Sequence, residues 1–238
     1  MQKIKLFCFP YAGGSSLIFR EWKNQLKDYI DLCPIELAGH GKRINEPLYS
    51  DLSEAIDDVL RIVVDELQDG SQYALYGHSL GSVISYYLNH KLQINNYQLP
   101  LHIFFSGRTA PHNDKKRTVK YHLLSTNEFC ESVEKLGGMP KDFFSNIDLV
   151  NLYLPIVRND FKLAETDLYP NISSLINCDI SVFLGKNDNY SPLPYCTGWE
   201  AHTNMTCSYY IFQGNHFFIN DNFKKILRII NNTLEPHC

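Results

Sequence analysis

The chain has 238 residues, of which 44% are hydrophobic and 13% aromatic, and its formal net charge is −4. This length allows one large α/β domain, and the charge gives no reason to expect nucleic acid or an anionic membrane as a partner. No apolar stretch is long enough to span a bilayer, and the N-terminal segment predicts a strand rather than a signal peptide. The seven cysteines include no C-x-x-C pair, which argues against a disulfide framework or a zinc site and favours a reducing cytoplasm.

The first third of the chain predicts strands that alternate with helices. Residues 4–9 form an apolar run ended by a proline, which is typical of a buried strand, and a loop with two adjacent glycines follows. Ser15 or Ser16 is suited to cap a helix that reaches about residue 27. The loop has neither the Walker lysine nor the G-x-G-x-x-G spacing, which argues against nucleotide binding. Residues 31–37 predict a second strand.

The loop at residues 37–43 contains His40, which we interpret as a solvated loop histidine rather than a catalytic base. Beyond it, an apolar stripe at helical spacing predicts a helix from about residue 51 to residue 67. Asp51 and Glu54 have the spacing of a capping box at its start.

The sequence Gly-His-Ser-Leu-Gly at residues 77–81 ends a short apolar run and precedes a helix-like segment. This is a G-x-S-x-G pattern, in which a serine lies on a strained turn between a strand and a helix. The glycines on either side leave space around the serine, and the helix N-terminus favours developing negative charge. We therefore interpret Ser79 as a nucleophile.

The alternation of strands and helices breaks after a strand predicted at residues 101–106. From about residue 111 to residue 175 the pattern is helical, with one helix at 126–136 and another at about 147–165 that Pro155 interrupts. We interpret this insertion as a helical lid over the serine; the alternative is a second small helical domain.

Strand and helix patterns return in the last quarter of the chain. Residues 180–185 and 207–212 predict strands, with a helix near 193–202 between them and an amphipathic helix at 221–234. The whole pattern indicates an α/β fold with a mostly parallel sheet flanked by helices. We expect residues 1–238 to form a single domain into which the lid is inserted.

Asp188 and His216 follow predicted strands in the same way as Ser79 does. α/β enzymes place their reacting groups at the carboxyl ends of parallel strands. The order Ser, Asp, His is the one expected when later loops serve a serine on such a turn. The sequence therefore predicts a catalytic triad, with His216 as the base and Asp188 as its orienting acid.

Other histidines and aspartates compete for these roles. We interpret His78 as a packed structural residue, Asp160 and Asp167 as parts of the lid, and Asp179 as a residue that precedes its strand.

A tetrahedral intermediate needs two N–H donors for its oxyanion. We assign one to the backbone of Leu80, which follows the nucleophile, and the other to Ala12 in the first loop. The glycines after Ala12 have the alternative role of serving only the turn. No metal and no cofactor are expected.

With these residues identified, the chain resembles the type II thioesterases of nonribosomal peptide and polyketide synthesis. The matching segments lie in the family's order along nearly the whole chain: F-P-Y-A-G-G-S at 9–15, E-L-A-G-H-G-K-R at 36–43, G-H-S-L-G at 77–81, L-G-G-M-P at 136–140, L-P-I-V-R-N-D at 154–160, G-K-N-D at 185–188 and G-N-H-F-F at 214–218.

The resemblance implies an α/β-hydrolase fold without the usual leading strands and a stand-alone cytoplasmic enzyme. It also implies the substrate, an acyl or aminoacyl group on the phosphopantetheine arm of a carrier-protein domain, removed so that a stalled synthase can continue. We expect a monomer whose partners are carrier domains, with no nucleic acid and no membrane. The alternatives are a general carboxylesterase or lipase-like hydrolase, and a non-catalytic carrier-binding protein.

Overall fold

A computed structural model describes residues 2–116, 119–138, 143, 146–166 and 174–237 of the chain. Its centre is a six-stranded sheet in the order β2-β1-β3-β4-β5-β6. The strands are β1 (Ile4–Phe9), β2 (Ile30–Pro34), β3 (Tyr73–His78), β4 (His102–Ser106), β5 (Asp179–Gly185) and β6 (Cys207–Phe212). All neighbouring strands pair in parallel, which confirms the predicted α/β architecture.

The order in which the chain adds strands to the sheet reverses between β1 and β3. It first places β2 on one side of β1 and then returns to add β3 and all later strands on the other side. Ligands in open α/β sheets bind at such a switch point, beyond the carboxyl ends of the strands. The loop after β1 and the turn after β3 are therefore brought side by side.

Helices cover both faces of the sheet, as a parallel sheet requires. Successive β1 side chains point to opposite faces, so that Phe7 and Phe9 join one buried cluster and Leu6 and Cys8 the other. The first cluster packs against α1 (Leu52–Glu66) and α2 (Leu80–Ile94). The second packs against α6 (Phe218–Leu234) and the 3₁₀ helix Ser16–Asn24.

The described residues 111–116, 119–138, 143 and 146–166, between β4 and β5, are mainly helical, as predicted, and we call them the insertion. It contains α3 (Thr126–Leu136), α4 (Ile147–Ala164) and the 3₁₀ turns Pro111–Lys116 and Tyr121–Leu123. Phe129 and Val133 of α3 pack against Val157 and Phe161 of α4 in a third buried cluster, which also contains Tyr190 from the loop after β5.

The predicted interruption of this helix at Pro155 is wrong, because α4 runs continuously through that residue. Proline removes one N–H donor and crowds the carbonyl four residues before it, but the turns that follow, with Ile156, Val157 and Phe161 buried, keep the helix intact.

Other boundaries also differ from the predictions. The strand expected at 31–37 ends at Pro34, and the helix expected to reach about residue 27 is a 3₁₀ helix that ends at Asn24. The helix expected at 193–202 is split into α5 (Leu193–Cys196) and a 3₁₀ turn, since Gly198 adopts φ 102° between them. The last helix begins at Phe218 rather than at residue 221.

Among the described residues, no helix is both long and apolar enough to cross a membrane.

Candidate active site

Ser79 lies on a strained turn at the junction of β3 and α2. Its backbone has φ 56° and ψ −109°, a combination that residues other than glycine rarely adopt. A Cβ atom at Gly77 would collide with the Gly81 carbonyl, and one at Gly81 would collide with the Phe9 carbonyl. The Ser79 N–H donates to the Ser106 carbonyl at 2.8 Å, which ties the turn to β4. The two glycines of the motif are thus required because neither position has room for a side chain.

The structure brings the three predicted triad side chains together. His216 Nε2 lies 2.9 Å from Ser79 Oγ, and His216 Nδ1 lies 2.8 Å from Asp188 Oδ2. The other carboxylate oxygen, Oδ1, accepts from the N–H groups of Tyr190 and Ser191 at 2.8 and 2.9 Å. Three residues that are 28 and 137 positions apart therefore form one hydrogen-bonded line.

The Asp188 carboxylate stays ionised although it is buried. Burial by itself would raise its pKa, but the charge and hydrogen bond of His216 and the N–H groups of Ser191 and Tyr190 lower the pKa below its ordinary value. With both oxygens accepting only, Asp188 fixes the proton of neutral His216 on Nδ1 and leaves Nε2 free to accept from Ser79. The hydrogen bonds therefore run from Ser79 to His216 and from His216 to Asp188, the direction that general-base activation of a serine needs.

His78 packs structurally, as predicted. Its Nε2–H donates to the His216 carbonyl at 3.0 Å, and its Nδ1 lies 2.8 Å from the Ser106 hydroxyl, which donates to it. Complete burial, together with the nearby charge of His216, lowers the pKa of His78 to about 3. A neutral His78 supports the backbone of His216 and takes no proton from Ser79.

The interpretation of His40 as a solvated histidine is wrong. The side chain is only 4% exposed, and its Nε2 lies 2.8 Å from Asp160 Oδ2. The same carboxylate oxygen accepts from the Gly13 N–H at 2.7 Å. Sequence analysis missed this connection because the two segments are 120 positions apart, although both lie within the motifs at 36–43 and 154–160.

Asp179, one of the two remaining candidate aspartates, does not reach the triad. Asp179 begins β5 at the opposite end of that strand from Asp188 and accepts from the Thr206 N–H at 2.9 Å. Asp167 lies outside the described residues.

The two residues assigned to the oxyanion hole lie beside Ser79. Leu80 is the first residue of α2, and Ala12 lines the same cavity as Ser79 and His216. Within the part of the chain that the structure describes, neither backbone N–H donates a hydrogen bond to the protein. Both N–H groups are therefore available to donate to a substrate oxygen.

A cavity of about 350 Å³ opens beside Ser79, between the ends of the strands and the insertion. Tyr11, Ala12 and Phe217 line it from the sheet side. The insertion supplies most of its apolar wall: Val133, Leu136, Phe143, Leu149, Tyr153, Val157 and Phe161. Among the described residues no cluster of three His, Cys, Asp or Glu side chains is suited to hold a metal ion.

A family model described as "Thioesterase domain" matches residues 4–234 of the chain. The chain belongs to the thioesterase family. It is therefore a thioester hydrolase, and the predicted enzyme class is confirmed.

A solved structure titled "ClbQ from the colibactin NRPS/PKS pathway" is 33% identical, with a TM-score of 0.92, and the match covers 99% of this chain and 98% of that one. The type II thioesterase BorB from the borrelidin biosynthetic cluster is 27% identical with a TM-score of 0.85, over 98% of this chain and 93% of that one. These matches confirm the resemblance to type II thioesterases.

A curated relative from Brevibacillus parabrevis, named "Linear gramicidin dehydrogenase LgrE", is 33% identical over 99% of this chain and 89% of its own length. The dehydrogenase in that name has no counterpart among the motifs of this chain, whose first loop lacks the G-x-G-x-x-G spacing of dinucleotide-binding proteins.

Proposed function

We propose that this thioesterase removes acyl or aminoacyl groups from the phosphopantetheine arm of carrier-protein domains, through an acyl-enzyme formed on Ser79. The observation that carries the proposal is the line of Ser79, His216 and Asp188 at the mouth of an apolar cavity. Support for the carrier-bound substrate comes from the relatives, whose names place them in the colibactin, borrelidin and gramicidin systems. A thioesterase of this kind frees a synthase from stalled or wrongly loaded groups.

The first half of the reaction transfers the acyl group to the enzyme. Ser79 Oγ forms a bond to the thioester carbon while its proton passes to His216 Nε2, and the carbonyl oxygen becomes an oxyanion between the N–H groups of Leu80 and Ala12. The tetrahedral intermediate then collapses, the carbon–sulfur bond breaks, and the proton on His216 passes to the departing thiolate. The carrier leaves with a free pantetheine thiol.

The second half restores the enzyme with one molecule of water. His216 takes a proton from the water while the water oxygen attacks the acyl-Ser79 carbonyl carbon. The oxyanion forms again in the same place. Collapse breaks the bond to Ser79 Oγ, which regains its proton from His216, and a carboxylic acid is released. Asp188 stays ionised throughout and stabilises the imidazolium in each half.

The experiment that tests the substrate class compares two assays of the same protein. We expect the enzyme to release acyl groups from a panel of acylated carrier domains with a higher kcat/KM than it shows on p-nitrophenyl butyrate. Carrier domains whose pantetheine serine is replaced by alanine, loaded in the same way, serve as the control for background. A higher kcat/KM on the oxygen ester would favour the carboxylesterase alternative, and binding of the carrier without turnover would favour a non-catalytic role.

The insertion acts as a lid in this proposal. It supplies most of the apolar wall of the cavity, so a group on Ser79 is covered when α3 and α4 lie as they do here, and the pantetheine arm enters when they move apart from the sheet. A carrier domain is too large for a cavity of about 350 Å³ and stays outside.

A disulfide that fixes the end of α3 to the loop before His216 tests the lid. An added Cβ at Gly137 would lie 3.5 Å from the amide nitrogen of Asn215, so Gly137→Cys with Asn215→Cys brings two thiols close together. Gly137 has φ 82°, and the strain of a side chain there is common to the oxidised and reduced forms of the variant. Loss of the two free thiols on oxidation verifies the cross-link before the rates are compared. The oxidised variant should release carrier-bound acyl groups at least about tenfold more slowly than the same variant reduced with dithiothreitol, because the arm must enter the cavity before chemistry begins. The wild-type protein under the same oxidant controls for its own cysteines. Equal rates in the oxidised and reduced forms would contradict the lid.

A further inference from the structure

A buried carboxylate on the insertion holds the loop that carries Ala12. Asp160 lies in the C-terminal half of α4 and is 1% exposed. Its Oδ2 accepts from the Gly13 N–H at 2.7 Å and from His40 Nε2 at 2.8 Å. One oxygen atom thus joins the lid helix, the first loop and the loop after β2.

The hydrogen bonds of His40 determine its protonation state. Its Nδ1 faces the Ala38 carbonyl at 3.0 Å, and its Nε2 faces the Asp160 carboxylate. Both partners accept only, so both ring nitrogens carry a proton and His40 is an imidazolium ion. The pKa agrees, since burial lowers it but the hydrogen bond and charge of Asp160 raise it above its ordinary value.

Gly13 is the residue directly after the predicted oxyanion donor. The plane of the peptide between Ala12 and Gly13 is rigid, so a hydrogen bond that fixes the Gly13 N–H also restricts how the Ala12 residue is oriented. Gly13 adopts φ 74°, and the Gly14 N–H closes a turn onto the Tyr11 carbonyl at 2.8 Å. Asp160 is the side chain that anchors this turn.

A second carboxylate holds the far end of the same loop. Glu36 accepts from the Ser16 N–H at 2.8 Å and from the Ser16 hydroxyl at 2.7 Å. The two anchors differ in origin, because Glu36 follows β2 whereas Asp160 belongs to the insertion. The orientation of Ala12 therefore depends on the position of α4.

We propose that Asp160, held by the His40 imidazolium, is a positioning residue that orients the Ala12 N–H toward the oxyanion. It touches neither substrate nor the reacting atoms, and it links closure of the insertion to completion of the oxyanion hole. The inference rests on the proposed function, in which Ala12 donates to the tetrahedral intermediate.

The variant that tests this removes both charges together. His40→Leu with Asp160→Val replaces a buried ion pair by apolar side chains and leaves no unpaired charge, a change that folded proteins often tolerate. The Gly13 N–H loses its acceptor. We expect kcat on butyryl N-acetylcysteamine thioester to fall by about 10- to 100-fold with little change in KM, because a donor displaced by a fraction of an ångström loses its effect chiefly in the transition state.

The matched control is Glu165→Gln at the end of the same helix. Glu165 is also a buried carboxylate, and it accepts from the N–H groups of Tyr121 and His122 within the insertion, away from the first loop. Its variant should lower the midpoint of thermal unfolding and leave kcat unchanged. An equal loss of kcat in both variants would show that the insertion acts only through stability.

Two inhibitors separate positioning from general disruption. One inhibitor is a trifluoromethyl ketone that carries the butyryl chain. Ser79 Oγ adds to its carbonyl carbon, the serine proton passes to His216, and the carbonyl oxygen becomes an oxyanion. The corresponding thioether has no carbonyl. In the double variant the affinity for the ketone should fall by the same factor as kcat/KM, while the affinity for the thioether stays constant. Equal losses for both inhibitors would overturn the proposal.

Asp160→Asn provides a second variant if the double variant does not fold. Its neutral amide oxygen is a weaker acceptor for the Gly13 N–H than a carboxylate, so we expect a smaller fall, about threefold or more, in both kcat and ketone affinity. Wild-type values of kcat and ketone affinity in either folded variant of Asp160, the double variant or Asp160→Asn, would overturn the inference. Wild-type protein and Ser79→Ala are assayed beside them: an inactive wild type refutes the proposed function, whereas an active wild type with a fully active double variant refutes only the role of Asp160.

Discussion

Replacing Ser79 with alanine is expected to lower kcat on acylated carrier domains by about 10⁵- to 10⁶-fold, the scale found when a serine protease loses its nucleophile. Alanine removes the oxygen that bonds to the acyl group, and His216 then has no hydroxyl 2.9 Å from its Nε2 to activate. The cavity and the N–H groups of Ala12 and Leu80 stay in place, so KM and affinity for a carrier domain should change little. Single-turnover release of a labelled acyl group measures the effect.

The matched control for this experiment is Ser82→Ala, in the first turn of the same helix. Ser82 Oγ donates to the Gly77 carbonyl at 2.7 Å and accepts from the Ser106 N–H at 3.0 Å, so it braces the turn without facing the cavity. Its loss should lower stability and reduce kcat far less than the loss of Ser79. Full thioesterase activity in Ser79→Ala would refute the catalytic mechanism outright.

Replacing Asp188 with asparagine is expected to lower kcat by roughly 10⁴-fold, as the same change does in a serine protease. The structure gives a specific reason. The N–H groups of Tyr190 and Ser191 require an acceptor at Oδ1, so the amide oxygen will stay there and the amide NH₂ will face His216. His216 must then accept at Nδ1 and carry its proton on Nε2, in the tautomer that donates to Ser79 instead of accepting from it.

The same variant tests the electrostatics of the site through stability. Because the native pKa of Asp188 lies below its ordinary value of 3.8, the stability it contributes is present above that value and is lost as the pH falls through the native pKa. Asparagine does not titrate. The difference in free energy of unfolding between wild type and variant should therefore shrink on acidification below 3.8. A difference that grows on acidification, or an unchanged kcat, would contradict the assigned role.

The sheet and the triad could be predicted from sequence because their signals are local. Each strand is a short apolar run that ends in glycine, proline or a polar residue, and Cys207–Phe212 agrees with the prediction at both ends. Ser79 has its own motif, and Asp188 and His216 also follow shortly after the carboxyl ends of their strands, three and four residues beyond Gly185 and Phe212. In a parallel sheet the carboxyl ends of all strands lie at one edge, so these positions together with the order Ser, Asp, His were sufficient to predict that the three side chains meet.

The supporting contacts could not be predicted, because they depend on long-range packing. His40 looks like any other loop histidine until the insertion folds and brings Asp160 against it. The break at Gly198 has a similar origin, since the Gly198 and Trp199 N–H groups donate to the Tyr209 hydroxyl on β6 instead of continuing the helix. Pro155 shows the reverse case, because packing keeps α4 continuous through a residue that locally favours the end of a helix.

The distance along the chain between nucleophile and base has a consequence for biosynthesis. Ser79 is made 137 residues before His216, an interval of about 7 to 27 s at ordinary rates of translation. Throughout that time the serine hydroxyl has no base and is as unreactive as any other alcohol. A nascent chain that has not yet been extended to His216 therefore lacks the base, and the hydrogen-bonded triad can assemble only after the loop that follows β6 has been made.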